Sequence, residues 1–410
     1  MINAVPWLST PQTAHRLGVK TATVYAYVSR GLLHSHRDPV TRTSRFDTRE
    51  VEHLALRGRP RQSSRSRSLE LQIETRITQI LGHTIRYRGH DALVLAHAAT
   101  FEQVAQLLWT GVLPADTTPW VSSRPTAAGR AAVEAADTMT DRLRLIATNV
   151  AVGEHPRRDA WTFADGGAHL IATLVDSLPP TGDGRCPRLV LGNGTPVRAS
   201  IAGRLWARLS PRRATPSMVA VLNATLVLLA DHEMAASTLA ARVAASTRAG
   251  LHDVVAAGMG TLSGPLHGGE SRRARRLLHE AADGSVRGAI ADALERHQRL
   301  PGFGQVLYPD GDPRAALLLG MLAAAGPQPE LAALQQVIDE AARQRLPPPN
   351  VDLALAALGS MTAMADDAGT AIFTAARVAG WLAHALEEYD EQPLRFRPRA
   401  VYIGPTARTG

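Results

Sequence analysis

The stretch RGRPRQSSRSRS, residues 57–68, holds five arginines, serines and a proline, and no acid. It has nothing with which to bury a core, so it reads as a linker. A chain interrupted there folds as two pieces, residues 1–56 and a body of roughly 340 residues. Charge divides the same way. Residues 1–69 carry 12 of the 45 Lys+Arg and 4 of the 37 Asp+Glu, which is +8, and the rest carries 33 of each sign. A polyanionic partner is therefore expected at the N-terminal piece. Single arginines signal little, because Lys20 is the only lysine and arginine is the default cation.

Several classes drop out early. The longest apolar run, Met218 to Ala230, is too short to cross a bilayer and contains Asn223 and Thr225. One cysteine, Cys186, permits neither an internal disulfide framework nor a cysteine-built metal site. No charged-then-apolar leader is visible. The expectation is a cytoplasmic protein without a metal or a nicotinamide cofactor.

WLSTPQTAHRLGVKTATVYAYVSRGLL, residues 7–33, predicts two short helices around a tight turn. Ser9 or Thr10 caps the first, with Pro11 where its missing N–H costs nothing. Ala14 and Leu17 give that helix an apolar side, Gly18 ends it, and Val24 and Val28 face the core from the second. SRFDTREVEHL, residues 44–54, adds a strand-like start and a helix capped at Asp47 or Thr48. The pattern resembles the small helix-turn-helix module with a wing of excisionase-like and MerR-like regulators. A bare helical hairpin is the plainer alternative. The resemblance implies duplex DNA as partner, with Lys20, Thr21, Tyr25 and Arg30 on the reading helix and Arg45 on the wing.

From Leu69 onward the chain is alanine- and leucine-rich helical pattern with Gly/Pro punctuation and no glycine-rich phosphate loop. The fold class expected is all-α, with a two-lobed body. Four stretches stand out: LADHEMAASTLAARVAAST (229–247), GPLHGGE (264–270), GFGQVLYPDGDPRA (302–315) and PPPNVDLALAALG (347–359). Singly, each is ordinary: a turn, a bend, a loop, and an N-cap at Asp352. Together, in this order and spacing, and with IRYRGHDALVLAHAATFEQVAQLLWTGVLP (85–114), FTAARVAGWLAHALEE and RFRPRAVYIG, they closely resemble the citrate synthase family over nearly all of residues 75–404.

The resemblance implies a large domain from residues 70–268 and 371–410, a small domain from 269–370, and a homodimer. It implies a condensation in which Asp352 takes a proton from the methyl of an acyl-CoA and His267, as a neutral donor beside Gly268 and Gly269, holds the enolate oxygen. Arg314, Arg377 and Arg397 (the last lent by a partner subunit) match the carboxylate clamps for oxaloacetate, and His232 a further ligand of that dianion. The position of Gln305 is histidine in the family, within GFGH. An amide N–H can polarise a ketone, but it cannot deliver a proton near neutral pH. The tail VLYPDGD also lacks the basic residues that many members use for CoA phosphates. Arg272, Arg273 and Arg276 of SRRARR, with Gly302, Phe303 and Gly304, are the candidate CoA contacts, although a solvated arginine face explains the arginines equally well. Two readings follow: an acyltransferase joining an acyl-CoA to oxaloacetate or another 2-oxo acid, or a DNA-binding regulator whose body senses a thioester or carboxylate.

Overall fold

The computed structural model describes residues 7–17, 19–38, 42–48, 50–51, 54, 72–116, 118–151, 160–181, 200–264, 267–326 and 329–398. The chain forms two compact units, Met1–Gln72 and Ile73–Gly410. The arginine-rich stretch 57–68, Gly18, Cys186 and the closing residues after 398 lie outside the described residues.

In the first unit, β1 (Trp7–Ser9) leads into α1 (Thr10–Leu17) and α2 (Thr21–Ser29), followed by β2 (Ser35–Arg37) and β3 (Ser44–Asp47). Ser9 caps α1 in a reciprocal box: its N–H and hydroxyl both bond Gln12 Oε1 at 2.9 Å, while Gln12 N–H reaches Ser9 Oγ at 3.5 Å. The strands pair antiparallel in the order β1-β3-β2. Ala14, Val24, Leu33, Phe46 and Val51 form a core against which Leu17 and Val28 pack partly buried. Of the helix expected after Asp47, the described residues Thr48, Glu50, Val51 and Leu54 are helical.

The second unit corrects the all-helical expectation. Before its helices comes a three-stranded antiparallel sheet, β4 (Thr78–Leu81), β5 (Thr84–Tyr87) and β6 (His90–Asp91). Two-residue turns, Gly82-His83 and Arg88-Gly89, join strands that alternate buried Ile85 and Tyr87 with exposed Arg86. Strands of two to four residues are too short for a period of two to stand out against a helical background.

The helices follow as α3 (Ala92–Ala98), α4 (Phe101–Thr110), α5 (Ala127–Ala135), α6 (Met139–Ala151), α7 (Ala160–Asp176), α8 (Ile201–Leu209), α9 (Pro216–Leu229), α10 (Ala236–Ser246), α11 (Leu251–Leu262), α12 (Glu270–Asp283), α13 (Val286–His297), α14 (Pro313–Ala324), α15 (Pro329–Arg343), α16 (Val351–Met361) and α17 (Ala368–Tyr389). The apolar run at 218–230 is the core helix α9, buried on every face from Val221 to Leu229. Among the described residues no helix is long and apolar enough to cross a membrane. α17 is the spine, with α4, α7, α9, α10 and α11 packed around it. Helices α12 to α16 pack chiefly on one another and meet the rest where α12 and α16 touch α17 and α14 touches α9 and α3. That seam gathers the N-termini of α12, α14 and α16 opposite the end of α9.

Candidate active site

His232 lies just beyond α9, His267 two residues before the N-cap of α12, and Arg314 and Asp352 in the first turns of α14 and α16. Arg377 projects from the middle of α17. These five side chains share one electrostatic neighbourhood. Burial pushes the His232 imidazole well below its ordinary range, and the Arg314 and Arg377 guanidiniums push it further. Burial first, then Arg377, also lowers His267. The neutral His267 that the resemblance implies is thus supported by burial and Arg377. Both imidazoles are uncharged at neutral pH.

Arg314 and Arg377 are each 2% exposed, so their charge is held out of water. Asp312 caps α14 through the Arg314 N–H at 3.0 Å and grips the same residue's fork, Nε to Oδ1 at 2.9 Å and Nη2 to Oδ2 at 2.8 Å. Its Oδ2 also accepts the Val351 N–H at 3.1 Å, which ties α14 to the start of α16. Arg377 donates its Nε to the Leu229 carbonyl at 2.8 Å, and Phe373 lies under the guanidinium at 4.6 Å. Arg314 thus keeps Nη1, and Arg377 both its Nη groups, for further hydrogen bonds. Arg397 is exposed beyond α17, and no described residue pairs with it.

Asp352 is a carboxyl under strain. The first turn of a helix favours its anion, and Asn350 caps that turn by accepting the Asp352 N–H at 3.0 Å. Burial overrides this, and with Glu270 and Asp312 adding negative charge the pKa is raised to about 7. Glu270 is itself 8% exposed and receives Arg299 at 2.8 Å, Arg273 at 3.3 Å and the Gly302 N–H at 3.3 Å. Such a base is mostly ionised just above neutrality yet far more basic than an exposed aspartate, which suits a weak carbon acid.

Backbone pairing positions the opposing loop. Gly304 N–H donates to the Pro348 carbonyl at 2.8 Å, Asn350 N–H to Gly302 at 2.9 Å, and Asn350 Nδ2 to Gly304 at 2.8 Å. Phe303, 5% exposed, bridges Pro349. The loop lies so close that a Cβ on Gly302 would sit 2.9 Å from Ala274 Cβ and 3.0 Å from Leu353 Cβ. At Gly268 a Cβ would meet the Leu262 carbonyl oxygen at 2.3 Å, so only glycine lets His267 descend into the pocket. Gln305 follows, half-buried. Its carbonyl accepts the Tyr308 N–H at 3.0 Å, and among the described residues its amide side chain has no hydrogen-bond partner.

The candidate CoA arginines are only partly free. Arg276 reaches Glu280 at 2.7 Å and Arg273 reaches Glu270, whereas Arg272 is exposed without a described partner. Acids on the same helix, Glu270 and Glu280, thus neutralise two of these three arginines. In the first unit, Lys20, Thr21, Tyr25 and Arg30 are exposed along α2, and Arg45 on β3 is half-buried 3.5 Å from Asp38.

Several contributors escaped the sequence. Ser237 in the first turn of α10 bonds His267 Nε2 at 2.8 Å and fixes the ring. Tyr308 puts its hydroxyl 2.9 Å from His232 Nε2, and Asn350 and Asp312 position Asp352 and Arg314. Position within the quoted stretches was their only signal, since a hydroxyl or amide one turn from a charged residue is common in any helix.

The family model described as "Citrate synthase, C-terminal domain" matches residues 70–399. Citrate synthase 2 of Bacillus subtilis is 31% identical over 356 residues, spanning 80% of this chain and 92% of that protein. The 2-methylcitrate synthase of Shewanella oneidensis is 28% identical over 353 residues, 80% and 91% of the two chains. Among solved structures, the ternary complex of Thermoplasma acidophilum citrate synthase with carboxymethyl coenzyme A and oxaloacetate superposes with a TM-score of 0.67 at 24% identity, covering 82% of this chain and 95% of that one. The mostly helical, two-domain fold is shared. With a family match across 330 of its 410 residues and 31% identity over 356 residues to a relative covered to 92%, the chain belongs to the citrate synthase family of acyltransferases.

Proposed function

We propose that the protein condenses an acyl-CoA, acetyl-CoA or a close relative, with oxaloacetate or another 2-oxo dicarboxylate. The general reaction, a CoA thioester joined to a 2-oxo acid, is that of its family. The observation that carries the finer reading is the Asp352 carboxyl, raised to about 7, in one electrostatic neighbourhood with Arg314, Arg377 and two neutral histidines. In this assignment Asp352 removes the proton α to the thioester and His267, oriented by Ser237, donates to the enolate oxygen. Arg314, Arg377 and His232 seat the dicarboxylate, and Gln305 polarises its ketone. A homodimer supplies Arg397 across the interface, and the loops at His267 and Gly302–Gly304 are hinges of a domain 269–370 that closes on 70–268 and 371–410. Arg272, Arg273 and Arg276, with Gly302, Phe303 and Gly304, meet the CoA moiety, and the cytoplasm is the proposed location. Thiol release across a panel of acyl-CoAs and 2-oxo acids tests this. Turnover is expected to be slow, and Gln305→His should raise acetyl-CoA/oxaloacetate condensation by about tenfold to a hundredfold. A wild type as fast as its Gln305→His variant would reject the role given to Gln305.

A second reading is favoured by one specific observation, the basic N-terminal unit with Lys20, Thr21, Tyr25 and Arg30 exposed along α2. In it, a regulator's sensing body binds the same ligands without turning them over, and α2 enters the major groove of duplex DNA with Arg45 on the wing. Gel retardation of the full chain at low salt should then fall away steeply as salt rises, because counterions are released on binding. Failure to retard any duplex at low salt would leave the unit as a scaffold or a protein-docking module.

A further inference from the structure

Forming the carbon–carbon bond leaves negative charge on the former ketone oxygen, and Gln305 has no proton to give it. The pocket's other hydrogen-bonding groups limit the choice. His232 and His267 are neutral, and Asp352 is occupied with the α-proton. Tyr308 remains. It leaves the same turn as Gln305, is 1% exposed, and holds its hydroxyl 2.9 Å from His232 Nε2 with the ring edge-on to the imidazole. The Arg314 guanidinium carbon is 5.7 Å from the ring centroid.

We propose that the Tyr308 hydroxyl is the acid that replaces the missing histidine and delivers its proton to the alkoxide. The inference rests on the condensation reading above. As the enolate carbon bonds to the ketone carbon, the carbonyl π pair moves onto oxygen. The phenol O–H breaks, its proton makes the tertiary alcohol, and the electron pair stays on the phenol oxygen. There it lies 2.9 Å from His232 Nε2 and feels the Arg314 charge; water entering at product release returns the proton. Burial raises the phenol above its ordinary range, with Arg314 pulling it down and Asp312 and Glu233 pushing it up. Tyr308 thus stays protonated until a stronger base, the alkoxide, forms beside it.

Four proteins test this: wild type, Tyr308→Phe, Gln305→His and the double variant, assayed by thiol release from acetyl-CoA with oxaloacetate. Tyr308→Phe should lower kcat about a hundredfold in the wild type. In the Gln305→His background the loss should shrink to about threefold, because an imidazole again supplies the proton. Equal losses in both backgrounds, or a loss confined to KM, would mean that the phenol only props His232 and would overturn the proposal. Incorporating 3-fluorotyrosine at 308 keeps the shape and acidifies the phenol, so the alkaline limb of kcat should move down by about one pH unit or more. An unmoved limb also overturns it. Absence of turnover in all four proteins would instead reject the condensation reading itself.

Discussion

Asp352→Asn should abolish condensation while making the protein more stable at pH 8. The activity loss is expected at about 10³- to 10⁴-fold, the upper range for removing a general base, since no other carboxylate in the pocket is free. Glu270 is committed to Arg299, Arg273 and Gly302, and Asp312 to Arg314 and Val351. The stability gain follows from linkage. Asp352 binds its proton more tightly folded, at about 7, than unfolded, at about 4. The stability this contributes is whole below about pH 4 and is lost as pH rises through 7, because ionising the group then works against the fold. Asparagine removes that cost, worth up to about 4 kcal/mol at pH 8. Urea midpoints of the two proteins at pH 5 and pH 8 check it: the difference should open with rising pH. In the active protein, kcat/KM should fall tenfold per pH unit below about 7. A flat acid limb, or a variant that retains a tenth of the activity, would remove Asp352 from its role.

Arg242→Met should lower stability by about 3 kcal/mol, roughly a hundredfold in the ratio of folded to unfolded protein, although the residue touches no proposed ligand. Arg242 is 0% exposed and donates to Glu388 at 2.9 Å, Glu387 at 3.0 Å and His384 Nδ1 at 3.0 Å. A guanidinium only donates, so His384 Nδ1 must accept and the ring carries its proton on Nε2. That proton faces Asp231 Oδ2 at 3.3 Å, and the same oxygen accepts the Thr78 hydroxyl at 2.5 Å. Burial pushes the Asp231 carboxyl up, yet His384, Arg377 and Thr78 together hold it below the usual range. Methionine fills the space but strands His384 Nδ1 and leaves Glu387 to Thr75 and the Arg76 N–H, and Asp231, the residue before His232, loses an oriented donor. The urea midpoint at pH 7 measures the cost. An unchanged midpoint would show that Arg395, bonded to Glu388 at 2.7 and 2.6 Å, carries the cluster alone.

Much was legible in the sequence because spacing encodes it. The arginine-rich run divides the chain near the boundary between its two compact units. The four quoted stretches put His232, His267, Arg314 and Asp352 at helix ends, and Arg377 sits within the helix the alanine-rich pattern predicts. The short strands β4 to β6 were not legible, because their pairing is decided by tight turns and by burial of Ile85 and Tyr87 against the helices.

What tertiary structure alone decided is the state of those groups. Nothing in PPPNVD or HGGE says that Glu270 and Asp312 crowd Asp352, since they lie 82 and 40 residues before it and meet only when α12 and α14 pack on α16. Nor does the order of residues show that Tyr308 reaches His232 across 76 positions, or that Arg242 dictates the tautomer of His384. Residue type and local spacing determined which groups were available and on which element each stands. Whether a carboxyl is a strong base, an imidazole neutral or a phenol in reach depends on desolvation and on charges far away in sequence, and those exist only once the helices have packed.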